Sequence, residues 1–359
     1  LMSNEKSLGI IISYPSEKLK IEKRTINYDV YENNKKINLK DKEPFIGFIG
    51  SGNYATRVLI PAFSKVGINF HSIVSNSGFN AQFLSKKYKI PIVSTDVNDI
   101  FKSKDCDTAV IATRHDSHAD LIIKALENGK NVFAEKPLCL NLDELQLIEK
   151  KYSEIVKTSK FKPIVMLGFN RRFAPLILEL KDLLKNSDAP KSFIYTCNAG
   201  YIDNKSWIQD PAVGGGRLIG EACHFLDLLR FLAGAPIENV QMISQKGSNP
   251  TPDNFILQVK FCDGSIGSIN YFANGSKSFK KERLEVFCDG NIHLLDNFKK
   301  LTHWGNKGLK NKSIFRQNKG QINCVKKFID ALKRNEESPI DFVDLIEVQK
   351  WLITALKFH

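Results

Sequence analysis

From Phe45 to Gly168 the chain alternates short β-branched or apolar runs with helix-patterned stretches, and that rhythm constrains the fold more than any other feature. Parallel strands cannot be joined by hairpins, so each needs a crossover, which is usually a helix. Strands are predicted at Phe45–Ile49, Phe70–Ser75, Thr108–Ala112, Asn131–Ala134 and Ile164–Gly168, with a weaker one near Ile92. Helices are predicted at Tyr54–Val66, Asn80–Tyr88, His115–Asn128 and Asn141–Thr158. The expected architecture is a doubly wound parallel sheet.

After Arg172 the rhythm changes. A helix to about Lys185, a strand at Ser192–Ala199, a glycine cluster and a helix at Leu218–Ala233 come first. Strand-like runs follow at Val240–Ser244, Phe255–Phe261, Ser265–Phe272 and Arg283–Phe287, separated by turn signals such as Asp263-Gly264 and Asp289-Gly290, so hairpin-joined antiparallel strands are expected. Helices at Gln321–Arg334 and Val343–Phe358 close the chain. Its 359 residues suit two domains, expected at 45–169 and 170–359 behind an N-terminal annex of residues 1–44.

Composition narrows the function classes. At 42% hydrophobic and 25% charged residues, the chain is not largely disordered. No apolar run approaches the ~20 residues that span a bilayer, and the N-terminus lacks a signal-peptide pattern; the cytoplasm is the expected compartment. Seven cysteines, Cys106, Cys139, Cys197, Cys223, Cys262, Cys288 and Cys324, show no C-x-x-C spacing, so no zinc site or disulfide framework is expected. The net charge of +13 comes from dispersed lysines, densest at Lys307–Lys312 in a Gly/Asn-rich loop. Without a recognition motif or interleaved aromatics, this reads as solvated surface and not as a nucleic-acid site.

The strongest chemical signal is "FIGFIGSGNYA", where Gly50, Ser51, Gly52, Asn53, Tyr54 and Ala55 form G-x-G-x-x-A between the first predicted strand and helix. The first glycine permits a tight turn, the second lets the backbone approach a pyrophosphate, and the small third residue lets helix and strand pack closely. The helix N-terminus then faces the anion. A dinucleotide, NAD or NADP, is therefore the expected cofactor. At the end of the second strand Ser75, Asn76 and Ser77 offer neither a carboxylate for the ribose of NAD nor an arginine for the phosphate of NADP, which leaves the choice open.

Further on, "ATRHDSHADLIIKALENGKNVFAEKPL" and "GGGRLIGEACHFLDLLRFLAG" (residues 214–234) join the glycine-rich turn in a combination that resembles the glucose–fructose oxidoreductase, inositol dehydrogenase and MocA-like family. "GFNRRFAP" at 168–175 resembles the family's interdomain junction. The resemblance covers nearly all of residues 45–359. It implies a Rossmann-like domain, then an α/β domain with a large, mostly antiparallel sheet that often forms an oligomer interface. It also implies hydride transfer between NAD(P) and a sugar, nucleotide sugar or cyclitol, without a metal.

Several residues acquire expected roles. Lys136 ends a strand of an open parallel sheet, where ligands bind, and its charge can polarise a substrate hydroxyl; Pro137 restricts it to extended geometry. His224 titrates near neutral pH and can accept the alcohol proton. Related enzymes commonly carry an Asp four residues before this His, but here Gly220 stands there and Glu221 follows. Glu221 lies on roughly the same helical face and is expected to orient His224 or bind a substrate hydroxyl. The resemblance places His118 near the nicotinamide; Thr113, Arg114 and Glu135 are expected beside the cofactor, and Arg172, Asp227 and Trp207 beside the substrate, where Trp207 can stack on a sugar face, with a partly buried core role as its alternative. For Arg171 and Arg172 an interdomain salt bridge is an equal alternative, and for Arg114 and His115 a helix cap. Two rival functions share the fold: NAD-dependent glycoside hydrolysis, and a sensor that binds dinucleotide without turnover. Finally, "LMSNEKSLGIIISYP" resembles the closing segment of an alcohol-dehydrogenase-like domain, which implies a longer polypeptide.

Overall fold

The computed structural model describes residues 25–28, 43–76, 78–247, 251–305 and 308–357. Ser77, Lys307 and most of the 1–44 annex, with the segment resembling a preceding domain, lie outside the described residues.

The first sheet contains β1 (Thr25–Asn27), β2 (Phe45–Ile49), β3 (Asn69–Val74), β4 (Ile92–Ser94), β5 (Thr108–Ile111), β6 (Asn131–Ala134) and β7 (Val165–Leu167). Their order is β1-β4-β3-β2-β5-β6-β7, parallel from β2 to β7, with β1 added antiparallel to β4. The six parallel strands thus have the Rossmann arrangement, and strand order reverses between β2 and β5, where such sheets bind ligands. Crossovers are α1 (Ile60–Val66), α2 (Gly78–Tyr88), α3 (Asn98–Phe101), α4 (His118–Glu127) and α5 (Leu142–Thr158). Asn141 caps α5 as its side chain accepts from the Glu144 N–H, while Glu144 reaches back to the Leu140 N–H.

The expected first helix is not uniformly α-helical. Ala55–Leu59 forms a π-helical turn, with the Ile60 N–H bonded to the Ala55 carbonyl five residues back. Pro61 follows and has no N–H to continue an α-helical ladder, which accounts for the rewiring.

The chain then passes through a 3₁₀ segment (Asn170–Phe173) and α6 (Pro175–Leu184) into an eight-stranded sheet. Its strands are β8 (Ser192–Asn198), β9 (Ile237–Ser244), β10 (Phe255–Phe261), β11 (Ile266–Phe272), β12 (Glu282–Cys288), β13 (Asn291–Asp296), β14 (Lys300–Trp304) and β15 (Lys312–Ser313). The order is β15-β14-β13-β12-β8-β11-β10-β9, antiparallel throughout except for the parallel β8–β11 pair. Between β8 and β9 lie a π-helical turn (Leu218–Ala222) and α7 (Cys223–Ala233), which packs on β11. Phe193, Tyr195 and Cys197 of β8 face this buried side, whereas Ile194 is exposed on the other. The last helices, α8 (Gln321–Arg334) and α9 (Phe342–Lys357), return to the first sheet, α8 against α1 and α9 against α5 and β7.

Candidate active site

The turn after β2 sits at the reversal point of the first sheet. Gly50 has φ +107°, and a Cβ there would lie 2.3 Å from the Ala112 carbonyl oxygen, so only glycine lets the ends of β2 and β5 approach this closely. A Cβ at Gly52 would meet nothing within 4 Å. That open space above the backbone is what an incoming pyrophosphate requires. A cleft of about 960 Å³ runs from Ser75, Asn76 and Asn80 past Gly50–Ala55 to Thr113, Arg114 and Trp207. Its size and glycine-lined floor fit a dinucleotide. The Ser51 hydroxyl donates to the Ser75 hydroxyl at 2.7 Å, tying the turn to the end of β3.

Tyr54, Ala112, Thr113 and Trp207 also border a second cavity of about 390 Å³, whose further wall comes from the junction segment, the π-helical turn, α7, Lys281 just before β12, and the start of α8. Lys136, Glu221 and His224 all face it. Lys136 follows β6, joined to Pro137 by a cis peptide, and its ammonium donates to the Gly220 carbonyl at 2.6 Å. Glu221 accepts from Arg217 Nε at 3.1 Å. Burial would raise the Glu221 carboxyl, but Arg217 and Lys136 outweigh it and hold the group below its usual range.

His224 is only 9% exposed, and its Nδ1 has no hydrogen-bond partner among the described residues. Burial, then the charges of Arg171, Lys136, Lys319 and Lys281, push its titration well below the ordinary range. That shift favours the neutral ring, the form that can accept a proton, while the surrounding cations oppose the imidazolium it would become. Glu135 lines the same cavity; burial pushes its carboxyl up to about 7 against the pull of Lys136. A Cβ on Gly168 would fall 2.6 Å from a Glu135 oxygen, which explains a glycine at the head of the junction segment.

The other expected residues take varied partners. No hydrogen bond joins Glu221 to His224; Arg217 engages the carboxylate instead. His118 lines neither cavity, because its ring is fully buried with Nδ1 2.7 Å from the Pro137 carbonyl and Nε2 3.3 Å from that of Thr113. It ties the β5 loop to the Lys136-Pro137 turn. Arg172 and Asp227 turn toward one another, with Arg172 Nε 3.0 Å from the carboxylate and both side chains buried, and so are consumed by structure. Arg171 pairs with Glu282 of β12, tying the junction segment to the second sheet, although it also lines the inner cavity. Trp207 stands where the clefts meet, edge-on to His115 at 4.8 Å and beneath the Arg114 guanidinium at 5.7 Å.

Asn170, Lys281, Lys319 and Gln321 line the inner cavity without having been singled out from the sequence. One lysine among so many dispersed ones carries no local signal. Gly320 was the available clue: with φ +84° it lets the chain pass so close to Asn170 that a Cβ would lie 2.4 Å from that residue's carbonyl oxygen. No cluster of three or more His, Cys, Asp or Glu among the described residues is placed to hold a metal, and no described helix is long and apolar enough to cross a membrane.

The model of the NAD-binding Rossmann fold of the Gfo/Idh/MocA oxidoreductases matches residues 45–157, and that of their C-terminal α/β domain matches residues 190–292. The chain belongs to this family. Among curated relatives, the scyllo-inositol 2-dehydrogenase (NAD(+)) of Bacillus subtilis is 30% identical over 199 residues, which cover 53% of this chain and 55% of that enzyme. The match therefore spans about half of that relative's length. The myo-inositol 2-dehydrogenase of Thermotoga maritima is 23% identical over 282 residues, 73% of this chain and 80% of that one. In fold the chain resembles levoglucosan dehydrogenase, solved in complex with NADH and levoglucosan, with a TM-score of 0.76 at 18% identity over 88% of this chain and 96% of the other.

Proposed function

We propose that this family member transfers a hydride between NAD or NADP and a secondary alcohol carbon of a sugar, nucleotide sugar or cyclitol. The observation that carries the reading is His224: a buried imidazole with an unpartnered nitrogen, sharing with Lys136 a cavity that opens onto the dinucleotide cleft. The nicotinamide, when bound, supplies the hydride acceptor or donor. As the alcohol carbon gives up its hydride, His224 takes the hydroxyl proton, and a ketone results. Lys136, held by the Gly220 carbonyl, directs a second N–H and its charge at the developing oxyanion. Glu221, kept ionised by Arg217, accepts from a neighbouring hydroxyl.

Fluorescence titration with reduced cofactor tests the first requirement. In Gly52→Val the added Cβ has no protein atom within 4 Å, so the fold should persist while NADH affinity falls at least about tenfold. Equal affinity in variant and wild type would remove the cofactor assignment. Ser75, Asn76 and Asn80 are neutral, so NADH and NADPH should bind within about tenfold of one another.

The same reading includes a homo-oligomer in the cytoplasm. Ile194, Ile243 and Ile266 are 39%, 62% and 54% exposed on the open face of the second sheet, an apolar surface suited to a second copy. All seven thiols are free, as a reducing compartment keeps them.

A further inference from the structure

We propose that the substrate carries an acidic group, a carboxylate or phosphate, and that Lys281 receives it at the mouth of the inner cavity. This rests on the dehydrogenase reading and narrows its substrate class.

Four cations line the cavity: Lys136, Arg171, Lys281 and Lys319. Three have partners. Arg171 Nε lies 2.7 Å and Lys319 Nζ 2.5 Å from the Glu282 carboxylate, which is fully buried behind them. Lys136 donates to the Gly220 carbonyl. The ammonium of Lys281 has no hydrogen bond or ion pair among the described residues. Of the two carboxylates on the wall, Glu221 is matched by Arg217, and Glu135 titrates near neutrality and supplies only part of a negative charge. The lining is thus left with excess positive charge.

The same four cations, Arg171, Lys136, Lys319 and Lys281, are after burial the largest influences that lower the titration of the His224 imidazole. All four charges converge on one ring. Lys281 is exposed and solvated, which makes its vacancy tolerable without ligand. An acid placed across the cavity, with its reacting carbon at His224 and Lys136, would gain a charge-assisted hydrogen bond from Lys281 and relieve the field of the other cations. A neutral polyol offers neither gain. A volume of about 390 Å³ accommodates a single sugar-sized acid.

The test is a binding measurement on the full chain saturated with NADH, reading nicotinamide fluorescence, so that turnover is not required. D-glucuronate and D-glucose 6-phosphate are titrated beside D-glucose and myo-inositol, the two acids distinguishing carboxylate from phosphate. At least one acid should bind about tenfold more tightly than the neutral compounds, and Lys281→Met should abolish that advantage while NADH still binds. Equal affinity for acids and neutral compounds overturns the inference, as does an advantage that survives in Lys281→Met, or binding of neither acid. Failure of both NADH and NADPH to bind wild-type protein is a different result, which removes the underlying dehydrogenase reading; where only NADPH binds, the same titrations are run with NADPH.

Discussion

At Gly220 the lack of a side chain is a packing requirement. A Cβ there would lie 2.8 Å from Cε1 of His115, whose Nδ1 is held 2.7 Å from the Gly214 carbonyl. Restoring the Asp common in related enzymes should therefore strain this wall: Gly220→Asp is expected to cost about 1–3 kcal/mol in urea unfolding, and His115→Ala to recover part of it. The departure at Gly220 was legible in the sequence. Its cause was not, because His115 reaches this point only through the fold. His224 shows the converse, a motif residue whose placement the sequence anticipated but whose chemistry depends on charges from distant segments. His224→Ala should lower turnover by about 10² to 10⁴-fold and leave NADH affinity little changed. Alcohol oxidation needs the neutral ring, and burial with four cations holds its titration below 6.5. The His224 inflection in kcat/KM should therefore lie below pH 6.5, with activity falling as His224 becomes protonated; an inflection at 7 or above that His224→Ala removes would contradict this.

Elements with strong local patterns were readable, and those set by long-range pairing were not. Strands β2, β6 and β10 have the expected limits because β-branched and aromatic runs end at clear turn residues. β13 and β14 escaped notice: "NIHLLD" and "KLTHW" mix apolar with charged residues, and their connection uses Asn297 and Phe298 at φ 51° and 53° where a glycine would have marked a turn. Likewise, nothing local distinguishes the parallel β8–β11 pair from a hairpin pair. The second sheet is tied to the junction segment by Glu282, which accepts from Arg171, Lys319 and the Tyr195 hydroxyl. Burial alone would raise this carboxyl, but Arg171 and Lys319 hold it well below its usual range. Its ionic contribution is present above an unfolded value of about 4.3 and is lost as pH falls toward the lower folded value. Glu282→Ala would leave Arg171 buried without its partner, and urea unfolding at pH 7 should show a loss of about 3–5 kcal/mol. Adding Arg171→Met should restore part of that loss, whereas additive losses would show that the pair does not act as a unit.

Across the whole molecule, the two sheets are coupled by helices that the chain order assigns to its end. Phe328 of α8 is fully buried, 5.3 Å from the Phe133 ring of β6 and 6.5 Å from that of Phe63 in α1. Phe342 of α9 stacks on Tyr152 of α5 at 3.7 Å, and Gln349 donates to the Cys139 carbonyl at 2.7 Å. The cover of the first sheet thus comes partly from the last 40 residues, which chain-order domain limits cannot reveal. A chain joined in this way should unfold as one cooperative unit. All three tryptophans, Trp207 where the clefts meet, Trp304 in β14 and Trp351 in α9, lie outside the first sheet, so their fluorescence reports mainly on the second half of the chain, while far-UV circular dichroism reports on every helix and strand. Urea midpoints from the two signals should coincide. Phe328→Ala, which removes an aromatic contact with the first sheet, is expected to cost about 3–5 kcal/mol and to move both midpoints together. If the tryptophan transition stayed in place while the dichroism transition split or shifted alone, the two halves would be independent, and α8 would merely rest on the first sheet.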